Sequence, residues 1–522
     1  MKRILFFLMA AVVTASCDSG ALSLELPDPA VGDDMHGMIV LGDKLQDPYT
    51  VENMTKALAE VYPTKADRIV VSATDLYVRF LPSDATEYDL LESMGVQMVD
   101  HPVDYEIIQE GDYYHDPGIE DGRITWQYAV VDKDFRFPEG IRYELIDECY
   151  IADNDRLTKA EGIDWDEVEK AAYRLTGNSD RLLQTRAGEY SGTPEGKVQI
   201  VDDFFGAEPE GVRGVRVCCN SFVKFANAYT DEDGNYRMTR KFNSKVRYRI
   251  VYKNSKGFAI GVNLLLIPAS ISSLGSDVPT GKSIVIDRNS EKKLFCRSVV
   301  NNAAFDYYES CDEGNDSRIK LPPANLRIWL FQHMGWSCTP MLQQGAVVDD
   351  SKLSDMLGEY TALLKMFLPD VTIGLKKVKD YSLMYAQTLH ELSHASHYMQ
   401  TGSSFWDKYI DYVVTSFVTS GFVTYGVGTE KNHGYCQIGE MWAYFNEMEL
   451  VRRRYDEEYL NGTGFWFSPQ IFLYMSDRGL GRARIFNALT SDITDIATLQ
   501  KKLVSLYPEN KSLINQAFAR YQ

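Results

Sequence analysis

The chain predicts an α+β multidomain fold, with a small α+β module first, a β-sandwich in the middle and a mostly helical domain last. Three observations carry this. Helix and strand signals alternate over 36–108, and short alternating runs bounded by turn residues crowd 195–258. From Asp355 onward, apolar patterns of helical period dominate. With 522 residues, 45% hydrophobic and 12% aromatic, the chain can bury several cores, and its length suggests about three domains.

Residues 1–17 read as an export signal. Lys2 and Arg3 give a charged start, Ile4 to Val13 an apolar core, and Thr14-Ala15-Ser16-Cys17 a small-residue end. The apolar core is shorter than the roughly 20 residues that span a bilayer, and no later segment is long and apolar enough to do so. Residues 18–112 form the α+β accessory module. Thr50 caps a helix through Tyr62, Arg68–Val71 and Leu76–Phe80 read as a hairpin, and Ala85 to Met94 reads as a helix closed by Gly95. An inhibitory propeptide is the alternative reading of this module, but no processing site follows it.

Residues 113–192 read as a Tyr- and Asp-rich connecting region with one helix, Asp164 to Leu175, and a linker over Arg186 to Pro194. Residues 193–262 supply the β-sandwich through Gly196–Ile200, Gly211–Val217 and Ala228–Arg237, where Asp233-Gly234 suits a tight hairpin. Asp231 and Asp233 lack the further ladder and closing Glu of a calcium loop and read as turn residues. Residues 263–522 form the last domain, with a strand at Ser283–Ile286, a helix over Phe295–Tyr308, an apolar stretch at Leu326–Phe331 and an edge strand at Asp370–Leu375.

A net charge of -20 excludes nucleic acid and anionic membrane surfaces as main partners. The seven cysteines after Cys17 are irregularly spaced without a CxxC, so at most one or two disulfides are expected. His333, between Trp329 and Trp336, reads as a packed histidine, and Trp406, Trp442 and Trp466 read as core.

Chemistry concentrates in His390-Glu391-Leu392-Ser393-His394, a pattern that this composition produces by chance with a probability of roughly 1%. Asp380 caps and Gly402 stops a helix from Tyr381 to Gln400, so the two imidazoles, four residues apart, project side by side and can chelate one ion. Glu391, beside the first ligand, is placed to act as general base. A catalytic zinc site takes three protein ligands and keeps one position for water. His397 is seven residues past His390, about 10.5 Å along an unbroken helix, too far for three rings to converge. Glu440, opening a second apolar helix that runs to Arg454, is the better third ligand. Cys436 reads as a buried structural thiol, and His433 and Tyr435 are candidate oxyanion donors.

The HExxH stretch, followed 46 residues after His394 by Glu440 in Glu440-Met441-Trp442-Ala443, resembles the gluzincin type of zinc metallopeptidase over about 375–450. The resemblance implies a zincin-like catalytic domain, Zn2+ held by His390, His394 and Glu440, and hydrolysis of a peptide or protein substrate by a zinc-activated water with Glu391 as base. It also implies that extended substrate pairs with the edge at Asp370–Leu375. The chain departs from thermolysin-like members at Tyr444, where they place an Asp that orients a ligand His, so another residue must take that part. The strands and Asp231–Tyr236 turn of 195–258 resemble the carboxypeptidase regulatory-like domain. Thr14–Cys17 resembles a bacterial lipobox, with Thr14 in place of the usual Leu. That implies an acylated Cys17, a membrane link through an N-terminal lipid and a place in the bacterial cell envelope. The competing expectations are a surface binding or adhesion lipoprotein with a vestigial or structural zinc site, and zinc hydrolysis of a non-peptide amide.

Overall fold

The computed structural model describes residues 38–522 except 121, 155–161, 186–187, 262–268, 313–317, 332–336, 347–368, 378–379 and 420–424. The export signal, Cys17, His333, Trp336 and the helical signals of 355–368 lie outside the described residues, as does the expected boundary at 262/263 on its C-terminal side. The described chain is mixed α and β, with several sheets and a helical C-terminal part.

In chain order the first elements are β1 (Val40–Lys44), α1 (Val51–Val61), β2 (Asp75–Leu81), α2 (Ala85–Ser93), β3 (Met98–Val99), β4 (Tyr105–Gln109), β5 (Gln127–Asp132), β6 (Arg142–Cys149) and α3 (Trp165–Leu175). The caps follow the sequence: Thr50 accepts from Asn53 N, Asp84 from Thr86 N and Glu87 N, and Asp164 from Asp166 N and Glu167 N. The hairpin expected at Arg68–Phe80 does not form. Ala66–Arg68 is a 3-10 turn, and although Val71 and Ile69 pack into the core under α1, Val70 is 80% exposed and the first run forms no strand. β2 carries buried Tyr77, Val78 and Phe80 on both faces and takes β5 and β6 as its neighbours instead, in the order β3-β5-β2-β6. The region expected to connect, 113–192, therefore supplies two strands of this sheet. It also supplies α3, which packs on α1 through Met54, Leu58, Val168 and Ala172.

After a short hairpin, β7 (Leu183–Thr185) and β8 (Gly188–Tyr190), two larger layers follow. They are built from β9 (Glu195–Val201), β10 (Pro209–Gly211), β11 (Val215–Ser221), β12 (Lys224–Tyr229), β13 (Asn235–Arg237), β14 (Val246–Asn254), β15 (Ala259–Gly261), β16 (Ile271–Asp277), β17 (Ile284–Ile286), β18 (Arg327–Phe331) and β19 (Val371–Gly374). One sheet runs β10-β9-β13 with β17 beside β9. The seven-stranded sheet runs β12-β11-β14-β15-β18-β19 with β16 beside β14. Asp231 Oδ1 accepts from Asp233 N and Asn235 N, which confirms a turn. Gly234 sits there at φ 80° with the place of a Cβ 2.1 Å from Val198 O, so only glycine fits.

The boundary expected at 262/263 is crossed by both sheets. β17 extends the first sheet, while β18 and β19 add in parallel to β15 and extend the second. One core continues from Val198 to Phe518. It takes in α4 (Lys292–Ser310), α5 (Tyr381–Thr401), α6 (Ser403–Thr419), α7 (His433–Tyr455) and the short C-terminal helices. Short β15 has no closed layer without later strands, because a strand buried on both faces needs hydrogen-bonded neighbours on both edges.

The N-terminal module docks on the seven-stranded sheet through opposite charges, Arg216–Glu92 (3.1 Å), Arg247–Glu110 (2.8 Å), Arg327–Asp89 (3.0 Å) and Lys224–Glu169 (2.8 Å), and on α4 through Arg297–Asp112 (3.0 Å). Cys149, Cys218, Cys219, Cys296, Cys311, Cys338 and Cys436 are buried free thiols. No described helix is long and apolar enough to cross a membrane.

Asp47 gives this fold a pH dependence. Its Oδ1 accepts from Tyr49 N (2.8 Å), and burial pushes its carboxyl from 3.8 up to about 8. Between those values the folded chain keeps a proton that the unfolded chain releases, so this group lowers stability as pH rises from 3.8 to about 8. Asp47→Asn is expected to gain about 3–4 kcal/mol at pH 8 relative to pH 5 in urea unfolding. An equal effect at both pH values would contradict the assignment.

Candidate metal centre

The HExxH helix forms as expected. Asp380 accepts from Leu383 N, and Gly402 closes α5 at φ 82°. The helix is sewn to α7 by side chains that satisfy each other in the core: Trp442 Nε1 donates to Ser393 O (3.0 Å), and Asn446 Nδ2 donates to Ser393 Oγ (2.8 Å). α7 begins at His433, so Glu440 lies two turns inside this helix rather than at its start. That depth puts Glu440 opposite the two histidines.

His390, His394 and Glu440 form a buried group, each offering one ligand atom, with these atoms all within 4.8 Å of one another. The Glu440 oxygens lie 3.6 Å from His390 Nε2 and from His394 Nε2. This separation is too long for a hydrogen bond. It is close to the roughly 3.4 Å between two ligands on a tetrahedral ion held at about 2.1 Å. Among the described residues, His390 Nε2 and Glu440 Oε2 have no hydrogen-bond partner. Orphaned polar atoms in a dry core are costly, and one divalent cation would satisfy both. The donor set therefore fits a metal ion.

The surroundings orient these groups. His390 Nδ1 lies 2.9 Å from Glu447 Oε2, and the other Glu447 oxygen accepts from Tyr459 OH (2.6 Å) and Asn461 Nδ2 (2.9 Å). Glu447 thus does what Tyr444 cannot; Tyr444 instead packs edge-on against the His390 ring at 4.4 Å. Tyr409 donates to Glu440 Oε1 (2.5 Å) from α6 and stacks on Trp406. Glu391 Oε2 accepts from Thr339 Oγ1 (2.7 Å). Exposure is 3% for His390, 1% for Glu391 and 0% for His394 and Glu440.

Electrostatics agree with a site built for positive charge. Burial opposes a charge on His390, but Glu440 and Glu447 outweigh it and raise the imidazole to about 10. Burial pushes His394 well below the usual range, with His390 and His397 adding to the effect. Burial also raises the Glu440 carboxyl, against the nearby His390 charge and the hydrogen bond from Tyr409. A proton on His390 thus stands where a cation would balance the carboxylates.

The other candidates fall elsewhere. His397 is fully buried against Phe405 and Trp406, outside the cluster, and burial pushes it down to about 3. His433 Nδ1 pairs with Glu430 O (2.9 Å) and its ring meets Trp466, while Tyr435 OH accepts from Lys408 Nζ (3.1 Å). Lying seven and five residues before Glu440, they sit about 10.5 and 7.5 Å back along α7, and the structure does not bring either to the cluster as an oxyanion donor. Cys436 is a buried thiol raised well above its usual range by burial. The edge of β19 is not open to substrate: Cys338, Met341 and Ser337 already bond its outer backbone groups. Glu447, Tyr409 and Thr339 had no local sequence signal beyond the seven-residue spacing of Glu440 and Glu447, which puts both on one face of α7.

Comparison with models of known protein families, with curated proteins and with solved structures found no match.

If Glu447 orients His390, Glu447→Gln is expected to weaken metal binding by about 10- to 100-fold without unfolding the chain. Chelator-competition titration checks this, and unchanged affinity would remove Glu447 from the site.

Proposed function

We propose that this chain is a zinc-dependent metallopeptidase of gluzincin type, exported and held at the bacterial cell envelope by a lipid on Cys17. The observation that supports it most is the buried group of His390, His394 and Glu440 with Glu391 adjacent on the same helix. Two imidazoles and one carboxylate are the ligand set of a catalytic zinc with an open position. A zinc ion held there would supply Lewis-acid polarisation of water and of the scissile carbonyl.

The chain's own residues would then divide the work. Glu391 takes a proton from the attacking water and returns it to the leaving amine. Glu447, fixed by Tyr459 and Asn461, keeps the His390 Nδ1 side engaged so that Nε2 faces the ion. Tyr409 holds one oxygen of Glu440. The aromatic walls of Trp406, Tyr409 and Tyr444 keep water low and strengthen these charge contacts.

A second reading, a surface binding lipoprotein with a structural zinc site, draws support from the near-complete burial of the four side chains. Zinc analysis with a casein or peptide-library assay separates the two. Glu391→Gln is expected to keep stoichiometric zinc and to lose turnover by about 10²- to 10⁴-fold, while His394→Ala and Glu440→Ala lose the metal. Zinc in wild type and Glu391→Gln, with turnover in neither, would support the structural site and end the peptidase reading.

A further inference from the structure

Resting on the peptidase reading above, we propose that Ser337–Met341 is an internal strap that keeps the site closed by occupying the backbone edge and the base contact that a peptide substrate needs. The edge is that of β19, the terminal strand of the seven-stranded sheet, which packs beside α5. An unpaired strand edge offers a row of backbone groups to which an extended peptide can add. Here the chain adds itself.

Cys338 and Thr372 exchange both backbone hydrogen bonds: Thr372 N donates to Cys338 O (2.8 Å) and Cys338 N to Thr372 O (3.0 Å). Met341 N donates to Asp370 O (3.0 Å), and Gly374 N donates to Ser337 Oγ (3.1 Å). From the middle of this segment Thr339 Oγ1 reaches Glu391 Oε2 at 2.7 Å and Glu391 O at 2.9 Å. One hydroxyl proton serves one acceptor at a time, and the side-chain oxygen is the nearer of the two. The strap thus fills the edge and holds the base together.

Access demands movement, because Glu391 and the three ligand residues are buried. α5 and α7 are long helices locked by core packing and by Ser393, Trp442 and Asn446. The strap is held by hydrogen bonds that an incoming extended peptide can replace in kind. It ends at Met341, a buried non-glycine residue held at φ 53°, a left-handed conformation that is costly for a side chain and typical of segments with two arrangements. Trp406 Nε1 donates to Thr339 O (3.1 Å) and Trp406 stacks on Tyr409, so displacement of the strap is felt at Glu440 as well.

A staple tests this. Cys338 Sγ lies 3.0 Å from Thr372 Oγ1, and a directly opposed antiparallel pair has its Cα atoms about 5.5 Å apart, which a disulfide spans. The full chain bearing Thr372→Cys, zinc-loaded, is compared after diamide oxidation and after reduction. The expected result is equal zinc content and casein hydrolysis at least about tenfold slower in the oxidised form, restored by dithiothreitol. Equal, measurable turnover in the two forms overturns the strap and leaves the peptidase reading standing. Zinc without turnover in wild type and in the reduced variant ends that reading and the strap with it. Thr339→Val, which removes the hydroxyl and keeps the shape, supplies a second arm. It is expected to raise initial rates by up to about tenfold at unchanged zinc content, and an unchanged or lower rate contradicts the proposal.

Discussion

Two carboxylates and two imidazoles buried between α5 and α7 set the terms for the rest of this structure. Removing an ionised group from water costs several kcal/mol unless charge and hydrogen bonds replace the solvent. Each group is answered accordingly: Glu447 by His390, Tyr459 and Asn461, and Glu440 by Tyr409 and the two imidazoles. The helices that carry these side chains are long and joined by buried polar contacts, because a shift of an ångström would strand a charge in the core. A divalent cation held there would balance the charge of the two carboxylates.

Much of the α5 geometry was legible in the sequence, because it depends on local rules. Asp380 and Gly402 mark the ends, and the spacing of His390 and His394 follows from 3.6 residues per turn. Glu440 could be picked out as an acid in an apolar helix, although the start of that helix was misplaced. Asn432, in a left-handed conformation without a side-chain cap, gives no strong start signal. Glu447, Tyr409 and Thr339 were not legible. They meet their partners across 57, 31 and 52 residues, and no short-range pattern encodes such a meeting.

The fold shows the same division. The class, mixed α and β, follows from periodicity, and the caps at Thr50, Asp84 and Asp164 follow from residue chemistry. Sheets span 112/113 and 262/263 because strand neighbours are chosen by burial. β2 is apolar on both faces and recruits β5 and β6 from what reads as a connector, and β15 recruits β18 and β19 from what reads as another domain. Parallel pairing leaves no hairpin signature, so the continuity of the large sheet was hidden.

The charge-matched seam between the N-terminal module and the seven-stranded sheet bears on biosynthesis. Asp89, Glu92 and Glu110 emerge from the ribosome well before Arg216, Arg247 and Arg327. The early acids are soluble while they wait, whereas the later guanidiniums, nearly enclosed in the finished molecule, find their counter-ions already in place. Vectorial synthesis thus presents the anionic half first and spares the nascent sheet an interval with uncompensated cations, an order that a circular permutant starting inside the sheet would reverse.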